Sequence, residues 1–288
     1  MFRPLCAGLA LSLTLAFAAP VQAAEVVVFG DSWGAFAADE LQTVLTFNGH
    51  SDVAVDNKAV AGSTADYWVN VAPDAFAAAV TANPDAEHVW LSIGGNDVLA
   101  YNAAQQGDLA GQDVDADIRA MLDGLFAVHP DVNVVMFGYD FVNFEMSPEC
   151  IALGLAYFHG LATPDINQIF LDDIGEVQRR IAEDYENVTY VDVWGTLQQA
   201  GGIPGAPNVY RPSPSEFMGD CIHANDEGYF LLMQALYDGY FAEALPEGTG
   251  CSTSGAGASG GWWALALLAL GLRRRRLGLG LPVQERSV

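Results

Sequence analysis

The stretch VVVFGDSWG, Val26 to Gly34, places a serine directly after a short apolar run. Residues 30–34 fit G-x-S-x-G, the nucleophile elbow of α/β-hydrolases. They fit equally well a Gly-Asp-Ser signature that follows the first strand of a different fold. The two interpretations imply different sheets and different oxyanion-binding groups, so the rest of the chain has to decide between them.

The N-terminus has the features of a secretory signal peptide. Arg3 supplies a positive charge, and residues 5–19 form an apolar run that is too short to cross a bilayer comfortably. Val21-Gln22-Ala23 then provides small residues at the cleavage positions. We predict a signal peptide over residues 1–23 and an exported mature chain; the alternative is an uncleaved N-terminal anchor.

The C-terminus divides into three parts. Residues 249–261 are small and polar and predict a flexible linker. Residues 262–276 are an apolar run that ends in four consecutive arginines, and residues 277–288 form an extension. The series resembles the GlyGly-CTERM and MYXO-CTERM sorting tails of Gram-negative bacteria.

That resemblance implies a sorting protease as a partner, followed by display at the cell surface or outer membrane, or extracellular release. The extension over residues 277–288 departs from such tails, which usually stop at the arginines. The alternative is an uncleaved transmembrane anchor with the arginines on the cytoplasmic side.

The remaining residues, 24–248, suit one domain of ordinary size. The whole chain carries a net charge of −25, and most of its arginines lie in the two termini, so this domain is more acidic still. Such a surface repels nucleic acids and anionic membranes, and we expect no nucleic-acid partner.

The cysteine and glycine patterns predict neither a metal nor a cofactor. Cys150 and Cys221 lie in the core of a chain predicted to be exported, so we predict that they form a disulfide, which leaves Cys251 in the tail. No zinc-binding spacing is present. The G-x-G-x-x-G at 255–260 does not follow a strand, and the acidic residues at 113–117 lack the glycine and glutamate of a calcium loop.

Strand-like and helix-like segments alternate along the domain, which predicts an α/β fold with a five-stranded, mostly parallel sheet. The strand candidates are short apolar runs at 25–30, 52–57, 88–95, 133–140 and 187–195. Helical patterns cover 35–46, 73–81, 114–127, 166–185 and 226–244. Ligands of such sheets bind beyond the carboxyl ends of the strands, so chemistry is expected there.

Four strand ends carry residues suited to catalysis: Ser32, Gly62, Asn96 within Gly-Gly-Asn-Asp, and His223 within Asp-Cys-Ile-His. Only one strand precedes Ser32, which leaves no room for the earlier strands of an α/β-hydrolase. The four blocks in this order resemble the SGNH/GDSL hydrolase family over nearly the whole domain. The resemblance implies a three-layer α/β/α sandwich of the flavodoxin-like kind.

The resemblance also implies a role for each residue. Ser32 would be the nucleophile, His223 its base, and Asp220 the group that holds the imidazole. The oxyanion hole would consist of the backbone N–H groups of Ser32 and Gly62 and the side-chain amide of Asn96. We expect glycine at 62 because a Cβ would obstruct close approach of the backbone.

Other polar and aromatic residues have two interpretations. Asp31 and Asp97 are expected to hydrogen-bond loop backbone rather than to do chemistry. Several aromatic side chains either line an acyl pocket or belong to the core: Trp33, Tyr139, Phe141 and Phe144.

The pattern as a whole predicts a serine esterase or lipase that needs no metal or cofactor and takes a lipid or acylated carbohydrate ester. One alternative is an O-acetyl esterase acting on polysaccharide. Another is a catalytically silent surface binding module, against which the intact Ser32, Asn96 and His223 argue.

Overall fold

A computed structural model describes residues 25–203 and 210–245. The predicted signal peptide, linker, hydrophobic segment and C-terminal extension lie outside these ranges. None of the helices within them combines the length and the apolar composition that crossing a membrane requires.

The sheet has five strands, and every neighbouring pair is parallel. Their order is β2-β1-β3-β4-β5, the flavodoxin-like arrangement. The prediction of a mostly parallel five-stranded sheet is confirmed. The strands are β1 Val26–Gly30, β2 Val55–Asn57, β3 His88–Ser92, β4 Asn133–Met136 and β5 Val188–Tyr190.

Helices connect the strands. Those in the first half of the chain are α1 Ser32–Phe47, α2 Ala65–Asn70, α3 Ala75–Thr81, α4 Gly95–Ala103 and α5 Gly107–Val128. Those in the second half are α6 Pro148–Phe158, α7 Thr163–Phe170, α8 Glu176–Asp184, α9 Thr196–Ala200, α10 Asp226–Leu236 and α11 Ala242–Ala244. A π-helical segment, Leu171–Gly175, joins α7 to α8, and another, Tyr237–Phe241, joins α10 to α11.

Both faces of the sheet are covered, which explains why the strands are continuous apolar runs. Val26 and Val28 pack into a cluster with α1 and α10, whereas Val27 and Phe29 pack into a second cluster with α2, α3 and α5. All four of these side chains are at most 2% exposed. The alternation along β1 therefore builds the three layers that the family resemblance implied.

Gly30 ends β1 and sets the direction in which the chain leaves the sheet. Its φ is +128°, a conformation that L side chains rarely adopt. A Cβ at this position would lie 1.7 Å from the carbonyl oxygen of Ser92 on the neighbouring strand. The same carbonyl accepts the N–H of Asp31 at 2.7 Å, so β1 and β3 remain in contact where the chain turns into α1.

Gly30→Ala should therefore destabilise the protein by roughly 3 kcal/mol or more, because strain and a backbone clash combine. Urea denaturation measures the change. Gly124→Ala is the control, since Gly124 lies exposed in α5 and a Cβ there meets nothing within 4 Å. We expect that control to be neutral or slightly stabilising; wild-type stability of Gly30→Ala would contradict the account.

Candidate active site

Ser32 is the first residue of α1 and follows the strand end directly. Asp31 is the N-cap of the helix, and its carboxylate accepts the N–H of Trp33 at 3.0 Å. The Gly-Asp-Ser sequence thus consists of a strand end, a helix cap and the first helical residue. The position places Ser32 at the positive end of a 16-residue helix, where developing negative charge is stabilised.

Asp220 and His223 lie in the turn before α10, and they meet Ser32 in a chain of hydrogen bonds. Nδ1 of His223 lies 2.8 Å from Oδ2 of Asp220, and Nε2 lies 2.7 Å from Oγ of Ser32. When Nδ1–H donates to Asp220, the lone pair of Nε2 is free to accept the serine proton. The arrangement is that of a nucleophile, a base and a group that orients the base.

The turn itself fixes the carboxylate of Asp220. Its Oδ1 accepts the N–H groups of Ile222 and His223, both at 2.8 Å. Partial burial alone would raise the pKa of Asp220, but the hydrogen bonds from the His223 ring and these two N–H groups outweigh it and lower the pKa to about 2. Asp220 is therefore ionised at neutral pH, and its carboxylate can accept the N–H of Nδ1 on His223.

A disulfide joins Cys150, in the first turn of α6, to Cys221, which directly follows Asp220. The structure thus contains the pairing that the sequence predicted. The carbonyl of Cys221 also accepts the N–H of Asn143 at 2.8 Å. The loop that carries His223 is consequently held both covalently and by backbone hydrogen bonding.

Asn96 is oriented by the loop that follows β2. Its Nδ2 donates one hydrogen bond of 2.9 Å to the carbonyl of Ser63, which leaves a second N–H available. The hydroxyl of Ser63 in turn donates to the carbonyl of Gly30 at 2.9 Å. Ser63, the residue after Gly62, therefore joins the end of β1 to the residue Asn96 that follows β3.

Gly62 has a conformational reason to be glycine in addition to the one that the sequence suggested. A Cβ at this position would meet no protein atom within 4 Å, so close approach to the backbone of this chain does not demand glycine. The residue has a φ of +83°, and this left-handed conformation is what favours glycine.

Asp97 behaves as expected, since its carboxylate accepts the N–H of Ala65 at 2.9 Å and that of Asp66 at 3.3 Å. It holds the start of α2. Burial raises its pKa to about 6, and these backbone hydrogen bonds limit the rise.

The four aromatic residues considered as pocket lining are core residues instead. Trp33, Tyr139, Phe141 and Phe144 are each at most 3% exposed and belong to the cluster on the α1 side of the sheet. Their rings pack against other buried rings, such as Phe141 on Trp194 at 5.1 Å. The apolar segments after the strands turn inward, so these side chains do not form the wall of an open acyl pocket.

Phe36 is a site residue that sequence reasoning missed. It lies one helical turn after Ser32 on α1, and its ring contacts the His223 ring edge-on at 5.0 Å between centroids. The side chain is 51% exposed, so part of its ring remains accessible to a substrate beside His223. The spacing of four residues from Ser32 is the signal that could have identified it, because such residues share a helix face.

The other histidines occur in different settings. His50 and His88 lie within hydrogen-bond distance of tyrosine hydroxyls, and His129 and His159 contact Thr81 and the carbonyl of Asn102. In the described residues no group of three or more His, Cys, Asp or Glu side chains could hold a metal ion.

Comparison with known proteins agrees with this geometry. The sequence profile of the GDSL-like Lipase/Acylhydrolase family matches residues 17–231, well over half of the chain. A search of curated proteins returned no match.

Two solved structures share the fold at low identity. A proposed GDSL-like lipase from Parabacteroides merdae is 13% identical, with a TM-score of 0.53, over 76% of this chain and 95% of that one. A proposed platelet activating factor from Streptococcus pneumonia is 17% identical, with a TM-score of 0.52, over 76% and 85%. At these identities the likeness concerns the fold alone.

The burial of Asp31 makes a testable link between pH and stability. Burial raises the pKa of its carboxyl to about 7, although hydrogen bonds from Tyr139 and Trp33 limit the rise. The folded state therefore holds a proton that the unfolded chain releases near pH 4, and stability falls as pH rises from about 4 to 7. An asparagine side chain at this position would mimic the neutral acid and keep the helix cap.

We expect Asp31→Asn to lose less stability than wild type between pH 5 and pH 8, with a difference of up to a few kcal/mol. Urea denaturation at each pH measures it. Asp39→Asn, at an exposed position of the same helix, should keep the wild-type pH dependence. If the stability of Asp31→Asn depends on pH as that of the wild type does, the raised pKa of Asp31 is contradicted.

Proposed function

This chain belongs to the GDSL-like lipase/acylhydrolase family, and on that premise we propose that it hydrolyses carboxylic esters through an acyl-enzyme on Ser32. The observation that carries the proposal is the hydrogen-bonded series from Ser32 through His223 to Asp220. A serine hydroxyl is a weak nucleophile until a base accepts its proton, and this series supplies that base in place.

In the proposed reaction, Nε2 of His223 removes the proton of Ser32 as Oγ attacks the ester carbonyl carbon. The resulting tetrahedral intermediate collapses, and His223 gives the proton to the departing alkoxide. The acyl group remains on Oγ as an ester. His223 then deprotonates water, and the resulting hydroxide attacks the carbonyl carbon of that ester. The second tetrahedral intermediate collapses, the bond to Oγ breaks, His223 returns its proton to Oγ of Ser32, and the carboxylic acid leaves. Asp220 stabilises the imidazolium in both halves.

The negative charge of each tetrahedral intermediate needs preorganised donors. The N–H of Ser32 stands at the start of α1, where helix geometry supplies no intrahelical acceptor. The second N–H of Asn96 is held in place by the bond of the first to Ser63. The third proposed donor is the backbone N–H of Gly62, which precedes Ser63 in the loop after β2.

The substrate is proposed to be a neutral ester. The net charge of −25 disfavours anionic substrates. The half-exposed Phe36, whose ring contacts His223, gives the site an apolar surface suited to an acyl group or an apolar alcohol.

A second candidate is an O-acetyl esterase acting on carbohydrate. Burial of the four aromatic residues favours it, because none of them forms a groove for a long acyl chain. A series of nitrophenyl esters of increasing chain length, run beside acetylated xylan, separates the two. Preference for acetyl groups and release of acetate from the polymer support the second candidate, and rising activity with chain length supports a lipase.

We further propose that the protein is exported and that its tail is processed by a sorting protease. The disulfide next to the His223 loop supports export, since such bonds persist in oxidising compartments. Intact-mass analysis from the native host tests the proposal: a mature protein that still carries residues 1–23 and the four arginines would contradict it.

Ser32→Ala should abolish ester hydrolysis, and Asn96→Ala should lower kcat by about 10²–10³-fold with modest changes in KM and melting temperature. Steady-state kinetics on a soluble ester provides both values. Asn102→Ala is the control, since Asn102 lies in the same helix and donates to the carbonyl of Val98.

Near-wild-type kcat in a folded Asn96→Ala protein would remove Asn96 from the oxyanion hole. Full activity of Ser32→Ala would refute the mechanism. Complete inactivity of the wild type on all esters would instead favour a binding module.

A further inference from the structure

The hydroxyl of Tyr139 connects two loops that carry proposed catalytic groups. It donates a short hydrogen bond to Oδ2 of Asp31, the residue before Ser32. It also accepts the N–H of Gly95, the residue before Asn96, at 2.9 Å. One oxygen atom is therefore hydrogen-bonded both to the residue before Ser32 and to the residue before Asn96.

The surroundings of this hydroxyl make the bridge rigid. Tyr139 is 2% exposed and Asp31 is 1% exposed, so water does not compete for these bonds. The Tyr139 ring is fixed edge-on against Trp33, with centroids 5.0 Å apart. Burial, first of all, raises the pKa of Tyr139 well above its usual value, so the phenol keeps the proton that it donates.

The Tyr139 hydroxyl lies beyond the last paired residues of β1 and β3, where backbone hydrogen bonds of the sheet no longer connect the two chain segments. Strands β1 and β3 pair up to Gly30 and Ser92, and Asp31 donates to the Ser92 carbonyl at 2.7 Å. Beyond that bond the chains diverge into α1 and α4, the helices that begin with Ser32 and Gly95. Side chains then connect them: the hydroxyl of Ser92, 3.4 Å from Asp31, and that of Tyr139.

We propose that Tyr139 is a positioning residue that sets the distance between the Ser32 nucleophile and the Asn96 amide. This inference rests on the proposed ester hydrolysis. An oxyanion forms on a carbon bonded to Ser32, so the donor has to lie at a fixed place relative to that serine. A shift of about 1 Å in such a geometry can lower a rate by about 100-fold.

The position of Tyr139 explains why phenylalanine would not serve. A phenylalanine ring would fill the same volume, yet it would leave the carboxylate of Asp31 and the N–H of Gly95 each without this partner. The packing of Gly95 is equally close, since a Cβ there would lie 2.9 Å from Cζ of the Tyr139 ring. Tyrosine and glycine at these two positions therefore form a matched pair.

Tyr139→Phe is the test, assayed on a soluble ester at a temperature where the variant is folded. We expect kcat to fall by roughly 10- to 100-fold while KM changes little, because the transition state feels the misplaced donor more than the bound substrate does. Tyr139→Phe in the Asn96→Ala background should lower kcat further by no more than about threefold, since the donor to be positioned is gone.

Two controls separate positioning from simple loss of stability. Tyr229→Phe removes the hydroxyl of another buried tyrosine whose ring contacts Trp33, and that hydroxyl has no hydrogen-bond partner in the described part of the protein. Tyr240→Phe removes a tyrosine hydroxyl that contacts His88, the first residue of β3, at the end of that strand opposite the site. Both should keep kcat within about threefold of wild type, even where their melting temperatures fall.

Multiplicative effects of Tyr139→Phe and Asn96→Ala in the double variant would overturn the proposal, as would near-wild-type kcat in a folded Tyr139→Phe protein. If Tyr139→Phe does not fold, Gly95→Ala replaces it, because the added methyl pushes the ring away without removing a hydrogen-bonding group. Gly95→Ala is expected to lower kcat by the same roughly 10- to 100-fold in the wild-type background, and by no more than about threefold in the Asn96→Ala background. Ser32→Ala is assayed in parallel. Ester hydrolysis that survives in Ser32→Ala refutes the proposed mechanism. If Ser32→Ala abolishes hydrolysis, the Tyr139 variants test the positioning role alone.

Discussion

The buried carboxylate of Asp31 is the interaction on which the rest of the candidate site depends. A carboxylate at 1% exposure has to be hydrogen-bonded, and its partners come from the start of α1, from β3 and from the segment after β4. Three separate parts of the chain are thereby fixed around the residue that precedes Ser32. Burial disfavours the charged form of Asp31 and raises its pKa to about 7. Ionisation of Asp31 therefore lowers the stability of the folded protein as pH rises toward 7.

Much of the fold could be predicted because its strands are covered on both faces. Continuous apolar runs then mark the strands, and the long amphipathic helices between them are visible from their periodicity. Helices α2, α4, α6 and α9 were not predicted. Helix α4 begins inside the run assigned to the third strand, and α6, PECIALGLAYF, is so uniformly apolar that it shows no amphipathic period.

The candidate site was only partly predictable for a related reason. Motifs at strand ends pointed to Ser32, Asn96 and His223, and the structure brings Ser32 and His223 into hydrogen-bond contact. Sequence patterns do not report which way a side chain after a strand turns, so pocket and core were both open for Tyr139, and the structure places its hydroxyl inside the core. Phe36 was missed because the predicted helix began at residue 35, whereas α1 begins at Ser32 and places both residues on one helix face.

We propose that the loops after β1, β2 and β3 form one preorganised oxyanion site around Ser32. A crystal structure of the protein after reaction with a methyl fluorophosphonate tests it most directly, because the bound phosphonate carries an oxygen where the tetrahedral intermediate carries its charge. We expect a covalent bond from phosphorus to Oγ of Ser32, with that oxygen about 2.7–3.1 Å from Nδ2 of Asn96 and from the backbone nitrogen of Gly62. An adduct on another residue, or a phosphonyl oxygen that points into solvent away from Asn96, would contradict it.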